Sequence, residues 1–398
     1  MKQPVKYVIL AVLVAASIAI PVTLSSFLSP LISVNEQYAR VVGVLSAFHL
    51  PVAKSRADVF AAYKASVADA RVGELRYSTV SNGTTGGYAF DIVAPGNNGP
   101  IRGILALASD RRTVLGLSVY EHNEGPGSGD EISSAAWRNQ FANLPLFDNA
   151  VFRGIAVISG KKKEPVAGAI HGDTPAAAAV VRALNRMVAQ FYAGGRPVEE
   201  LDLGTTVDAV TRATPGYPKH VVKPPNLREE VKRPPFMVPP GLTNLALGRP
   251  VTVSMPPIIG DPAQIVDNVK KSGDFDFVEL GKGVQWAQID LGDVRTIFTV
   301  CIWHFYKNSI IYKSVIVRIS DDPAFIKDVK TIYNNDYENI AGFGEGKNTT
   351  YYARWWGELA DARGDDYNGV RGRYVRIYTA GGAGGEDTRF VEIAVYGK

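Results

Sequence analysis

The sequence predicts a chain in three parts: an N-terminal transmembrane helix, an α+β domain and a C-terminal all-β sandwich. Three observations lead there. Tyr7 to Ile32, "YVILAVLVAASIAIPVTLSSFLSPLI", holds no charge, and about 20 apolar residues suffice to cross a bilayer. Short strand-like runs then fill Leu75–Glu121, and an Ala-rich helical pattern follows from Pro175. Eight prolines between Thr214 and Gly241 mark a composition shift. After them the pattern is strands only. The boundaries read 1–35 for the anchor, 36–212 for the first domain, 213–241 for the Pro-rich linker and 242–398 for the second domain.

A chain of 398 residues is long enough for two ordinary domains. Charge is nearly balanced, with 43 Lys and Arg against 39 Asp and Glu. No basic stripe interleaved with aromatics appears, so nucleic acid is not an expected partner. Cys301 is the single cysteine. It rules out an intramolecular disulfide, a Cys-type zinc site, an iron–sulfur cluster and C-x-x-C-H haem attachment. Electron transfer would need an organic cofactor. Lys2 and Lys6 precede the apolar run, and Glu36 is the first charge after it. The positive-inside rule then places everything after Ile32 outside the cytoplasm. The run exceeds a usual signal-peptide core and no A-x-A site follows, which favours an uncleaved anchor.

Ser55–Arg71 reads as a juxtamembrane amphipathic helix. "YAFDIVAP", "IRGILALAS" and "VLGLSVYEH" are strands divided by turn residues, "AAWRNQFANL" is a short helix and "FRGIAVISG" a further strand. In "GAIHGDTPAAAAVV", Thr174 is a good N-cap, because its hydroxyl can take an otherwise unpaired N–H of the first turn. Pro175 suits the first helical position. The helix runs to Phe191 on strong helix formers and ends at "AGGRP". The Pro-rich segment is extended and semi-rigid; it either lies along the first domain or holds the second away. "VQWAQIDLG", "IFTVCIWHF", "SVIVRISDD", "RYVRIYTAGG" and "FVEIAVYG" are strands of an antiparallel sandwich.

Candidate chemistry starts at "EHNEGPGSGDEISSAAWRNQF", Glu121–Phe141. A tight glycine loop after a strand exposes backbone amides that can cradle a phosphate or the edge of a flat ring. The plain alternative is an ordinary turn. The order strand, glycine loop, Trp-containing helix and "GAIHGDT" resembles the FMN-binding domain of the C subunit of sodium-translocating NADH:quinone oxidoreductase and of the G subunit of Rnf complexes. The family loop H-x-E-T-P-G-L-G stands here as His122, Asn123, Glu124, Gly125, Pro126, Gly127, Ser128 and Gly129. The family motif S-G-A-T stands as His171, Gly172, Asp173 and Thr174. The resemblance covers about Tyr7–Arg196. It implies FMN joined through its phosphate to the Thr174 hydroxyl by a separate flavin transferase. It also implies a single-pass protein of the inner membrane with its soluble part on the periplasmic side. A phosphoester on an N-cap threonine would sit at the positive end of a helix. His171 and Asp173 depart from the family's Ser and Ala, and a carboxylate beside a phosphate repels it. His122 and His171 have no metal-site spacing.

The second domain resembles a discoidin-like module (coagulation factor type C, galactose-binding-like) through "NLALGRPVTVS", "IVDN", "VQWAQIDLG", "VIVRISDDPAF", "RYVRIYTAGG" and "VEIAVYG". That implies an eight-stranded jelly-roll binding glycan, lipid or protein through end loops, in many members with structural calcium. Asp267, Asp274 and Asp276 are candidate calcium ligands, with solvated loop acids as the alternative. Trp355, Trp356 and Tyr351 suit stacking on a sugar face, or else are core or subunit contacts. His304 reads as an ordinary satisfied strand residue and Cys301 as a small core residue. The expected function is a flavin electron carrier in an Nqr- or Rnf-like ion-translocating redox complex, an electron-transport role linked to ion transport. The alternative is a non-redox envelope protein with a degenerate FMN-binding fold and a glycan- or protein-binding module.

Overall fold

A computed structural model describes residues 33–83, 85–127, 129–148, 151–158, 168–205, 223–228, 233–273, 275–307, 310–385 and 387–398. The apolar run at 7–32 lies outside them. Among the described residues no helix is long and apolar enough to cross a membrane.

The first part is a six-stranded antiparallel meander covered on both faces by helices. Its strands, in sheet order, are β1 (Val67–Val72), β2 (Leu75–Ser81), β3 (Gly86–Gly96), β4 (Gly99–Ala108), β5 (Thr113–Glu121) and β6 (Leu144–Pro145). Successive side chains of a strand point to opposite faces. On β4, Ile104 and Ala106 therefore join Val44 and Ala47 of the helix over 33–47 (α1) and Phe48 in the turn just past it, whereas Leu105 and Leu107 join Val180 and Leu184 on the other side. Both faces are buried, so the strand reads as an unbroken apolar run.

The helix expected over Ser55–Arg71 is shorter. Ser55 caps α2 (Arg56–Ser66) by accepting from the Asp58 N–H at 3.1 Å. Val67 turns extended, and the rest is β1, paired with β2 in register Val67–Val80 to Val72–Leu75. This is a sheet edge, and its Asp69 and Arg71 suit an edge that must not recruit further strands.

Beyond β5, α3 (Ala135–Arg138) carries Trp137 into the core. The short strands β7 (Phe147–Asp148) and β8 (Val151–Phe152) form a hairpin. Then β9 (Ala156–Ile158) pairs in parallel with β10 (Ala169–His171), which feeds α4 (Pro175–Tyr192). Buried Asn185 on α4 accepts from the Ile155 N–H at 2.8 Å and donates to the Ile155 carbonyl at 2.9 Å. This fixes the approach to β9 against the helix.

Among its described residues the Pro-rich arm bonds to both parts: Asn226, Arg228 and Arg233 to the C-terminal part, and Met237–Val238 to the first. β11 (Glu199–Glu200) pairs with β12 (Met237–Val238), and the Leu201 N–H donates to the Phe236 carbonyl at 2.8 Å. The C-terminal part follows as β13 (Thr243–Asn244), β14 (Val251–Val253), β15 (Val278–Leu280), β16 (Gln285–His304), β17 (Ile311–Tyr312), β18 (Ile316–Ser320), β19 (Lys330–Asn334), β20 (Tyr351–Tyr352), β21 (Glu358–Asp361), β22 (Val370–Thr379) and β23 (Thr388–Gly397). Among the described residues a nine-stranded sheet winds around one apolar core holding Trp303, Ile377 and Val395. "VQWAQIDLG" and "IFTVCIWHF" are one strand rather than two. β16 runs 20 residues, pairing first with β22 and then with β23 and β21. A register shift between Asp290 and Arg295 lets it bend without breaking the ladder.

Candidate functional site

The glycine loop and the start of α4, 43 residues apart in sequence, meet in space. Thr174 is extended at φ −108° and ψ 153°, and its hydroxyl oxygen accepts from the Ala177 N–H at 3.2 Å. It caps the helix as its sequence predicts. The hydroxyl in turn donates to Glu131 Oε1 at 2.5 Å, and the Thr174 N–H donates to the same oxygen at 3.0 Å. Glu131 follows the loop directly and carries no sequence signature of its own. Only the fold shows that it closes onto the cap.

The other predicted residues build this junction. Gly129 is buried, and a Cβ there would come within 2.5 Å of Ala176 Cβ and 3.1 Å of Glu124 Cβ. We expect Gly129→Ala to push the loop off the helix and cost about 2 kcal/mol. A urea midpoint unchanged to within about half a kcal/mol would contradict this. Glu124 is buried: Oε1 accepts from the Asn98 N–H at 3.1 Å, while Oε2 meets no hydrogen-bond donor. His122 Nδ1 accepts from the Glu124 N–H at 3.2 Å. Gly127, at φ +75°, donates its N–H to Asp130 at 3.2 Å, so that amide is already engaged inside the loop. Gly125 lies between them, half-buried.

On the other strand, the His171 N–H donates to Gln140 Oε1 at 2.7 Å, and Gln140 returns a bond to the His171 carbonyl at 3.1 Å. Gly172 is buried, and a Cβ there would lie 2.8 Å from Ala177 Cβ and 3.4 Å from Trp137 Nε1. Trp137 Nε1 is itself buried without a hydrogen-bond partner. Asp173 is exposed.

Thr174 borders a cleft of about 860 Å³. Gly172, Asp173 and Arg182 line one side, Arg233 and Phe236 of the arm another, and Trp355 and Trp356 a third. The volume falls in the roughly 300–1,000 Å³ range of sites for drug-sized ligands.

Elsewhere the outcome is mixed. Tyr351 is buried at 3% exposure, packed near His304 and Tyr333, and has no face to offer a sugar. His304 is half-satisfied: Nδ1 faces the Arg389 carbonyl at 3.2 Å, and Nε2 has no partner. Cys301 is fully buried, and burial pushes its thiol up to about 12. Asp267 accepts from the Val269 N–H at 2.8 Å. Asp274 lies outside the described residues, and Asp276 packs beside Gly273. Among the described residues no group of three or more His, Cys, Asp or Glu side chains is arranged to hold a metal.

Residues 96–215 match the family model of the FMN-binding domain. One segment of the chain is similar to the C subunit of the Na(+)-translocating NADH-quinone reductase of Chlamydia trachomatis, 38% identical over 92 residues, or 21% of this chain and 28% of that protein. A second similarity is to the G subunit of the ion-translocating oxidoreductase complex of Methanosarcina acetivorans, 31% identical over 108 residues, or 27% of this chain and 53% of that one. The matched segments thus span about half or less of these relatives. A solved fucose binding module of Streptococcus pneumoniae is similar at 17% identity and a TM-score of 0.28, covering 39% of this chain and 99% of that one.

Proposed function

We propose that this chain is an electron-transfer subunit carrying FMN as a phosphoester on Thr174. It would be anchored by residues 7–32 in the inner membrane, its soluble parts on the periplasmic side, within an Nqr- or Rnf-like ion-translocating complex. One observation carries the reading. Inside the segment that matches the FMN-binding domain, a threonine hydroxyl stands at the N-terminus of an 18-residue helix and borders an 860 Å³ cleft.

The residues present suit the group. Thr174 would carry the ester, and the helix N-terminus favours the negative phosphate. Trp137 Nε1, buried and unbonded, is a spare donor beside Gly172. Buried Gly172 keeps the chain close to the helix where a Cβ would crowd Ala177. Bound flavin supplies one- and two-electron transfer, so no base or nucleophile of this chain is required. Two acids must adapt. An esterified Thr174 has no proton to give, so the bond from its hydroxyl to Glu131 is replaced while the bond from its N–H can remain. Asp173 is exposed, so water and salt screen its charge.

The test is the intact mass of the full chain made together with a flavin transferase. A gain matching one esterified FMN is expected for wild type and for Thr174→Ser, and none for Thr174→Ala. Loss of the cap alone costs about 1 kcal/mol, so the alanine variant folds. A wild-type chain that gains no mass beside an active transferase overturns the reading. Thr174 would then be a helix cap whose hydroxyl Glu131 holds, in a non-redox envelope protein.

A further inference from the structure

We propose that the cleft between Thr174 and the Trp355–Trp356 pair seats the isoalloxazine ring, so that the C-terminal module forms one wall of the cofactor site. This rests on the flavin reading above. Trp355 and Trp356 are half-buried and border the same cleft as Thr174. Their rings stand 5.4 Å apart at 79°, edge to face. Two large aromatic rings left partly uncovered beside a cleft offer π faces to a flat ring.

The turn that bears them is fixed in place. Trp303 Nε1, from the core strand β16, donates to the Trp355 carbonyl at 2.9 Å. Arg233 of the arm donates to the Trp356 and Gly357 carbonyls at 3.3 and 3.1 Å. Gly357 sits at φ +68°, where a Cβ would come within 2.8 Å of the Trp303 ring; only glycine lets the turn press this closely on the strand. Arg182 and Arg233 add positive charge to the walls, offset by Glu200 and Asp202. Such a wall is preorganised: binding need not order it. The pair thus faces a groove shared with the first domain, where Thr174 supplies a tether.

The experiment uses the full chain after flavin transfer and compares wild type with Trp355→Leu/Trp356→Leu, reading intact mass and flavin fluorescence on each sample. The expected result is equal mass gain, with flavin emission quenched in wild type and several-fold brighter in the double variant, because a stacked indole quenches the excited flavin. Equal mass gain with equal emission overturns this inference and leaves the flavin reading standing. No mass gain in wild type overturns both. Should the double variant fail to fold, the single variants Trp355→Phe and Trp356→Phe decide: flavin emission brighter than wild type in either supports ring contact, and emission unchanged in both refutes it.

Discussion

Replacing Arg363 with alanine is expected to cost about 3–5 kcal/mol and to loosen the C-terminal module from the first domain. Its guanidinium is 3% exposed and reaches three parts of the chain. It holds Asp361 of β21 through two bonds, at 2.9 and 2.6 Å. It donates to the Met237 carbonyl of the arm at 2.8 Å and to the Phe152 carbonyl of the first domain at 3.1 Å. It also lies 3.9 Å from the centre of the Phe236 ring. Removing it leaves Asp361 without its counter-charge and two carbonyls unbonded. Arg363→Lys keeps the charge but not the planar fork, so it should recover only part of the loss. Urea unfolding and limited proteolysis between residues 200 and 240 read the two consequences. A midpoint within about half a kcal/mol of wild type, with unchanged cleavage, would refute the clamp. Since the cleft wall holding Trp355 and Trp356 is set by the same docking, Arg363→Ala should also brighten the proposed flavin without altering its attachment.

Elements are legible in the sequence where one signal suffices. Thr174–Pro175 followed by an Ala-rich apolar stripe specifies α4 and its cap by local rules alone. Leu105 and Leu107 alternate with Ile104 and Ala106, and the continuous apolar run gives the strand but not which face meets which helix. β1 is hidden because "VADARV" is a largely exposed edge strand whose alanines suit a helix as well, and its helix-like neighbours extend the apparent period. β16 reads as two strands because "LGDVRT" has turn composition, yet the ladder continues through a register shift. The site is half legible. The glycine loop and Thr174 are separate signals, and their junction depends on Gly129 fitting against Ala176. Glu131 and Arg363 lie in ordinary charged segments, "GDEIS" and "DARGDD"; Glu131 acquires its role from Thr174, 43 residues away, and Arg363 clamps the domains through the Met237 and Phe152 carbonyls, more than a hundred residues away, besides its neighbour Asp361. Trp355 and Trp356 stand out as adjacent aromatics. Only the docking of the two parts shows what they border.

Acidification should weaken the C-terminal module through His304. The ring is 1% exposed and stacks on Tyr312 at 3.9 Å between centroids and 11° between planes. A carbonyl can only accept, so the bond to Arg389 puts the proton on Nδ1 and leaves Nε2 bare. Burial pushes the imidazole down to about 3, from an ordinary value of 6.5. In the unfolded chain the same ring takes a proton below pH 6.5. The folded state therefore keeps the full benefit of a neutral His304 above pH 6.5 and loses it as pH falls toward 3. At about 1.4 kcal/mol per pH unit for one proton, the loss approaches about 4 kcal/mol across that window. Other acids contribute to the same fall, so the informative quantity is a difference. His304→Gln can still donate to the Arg389 carbonyl but does not titrate. It should be less stable than wild type at about pH 7.5, and the gap should close or reverse by about pH 4.5. Parallel curves of Tm against pH for the two proteins would show that His304 is not the titrating group.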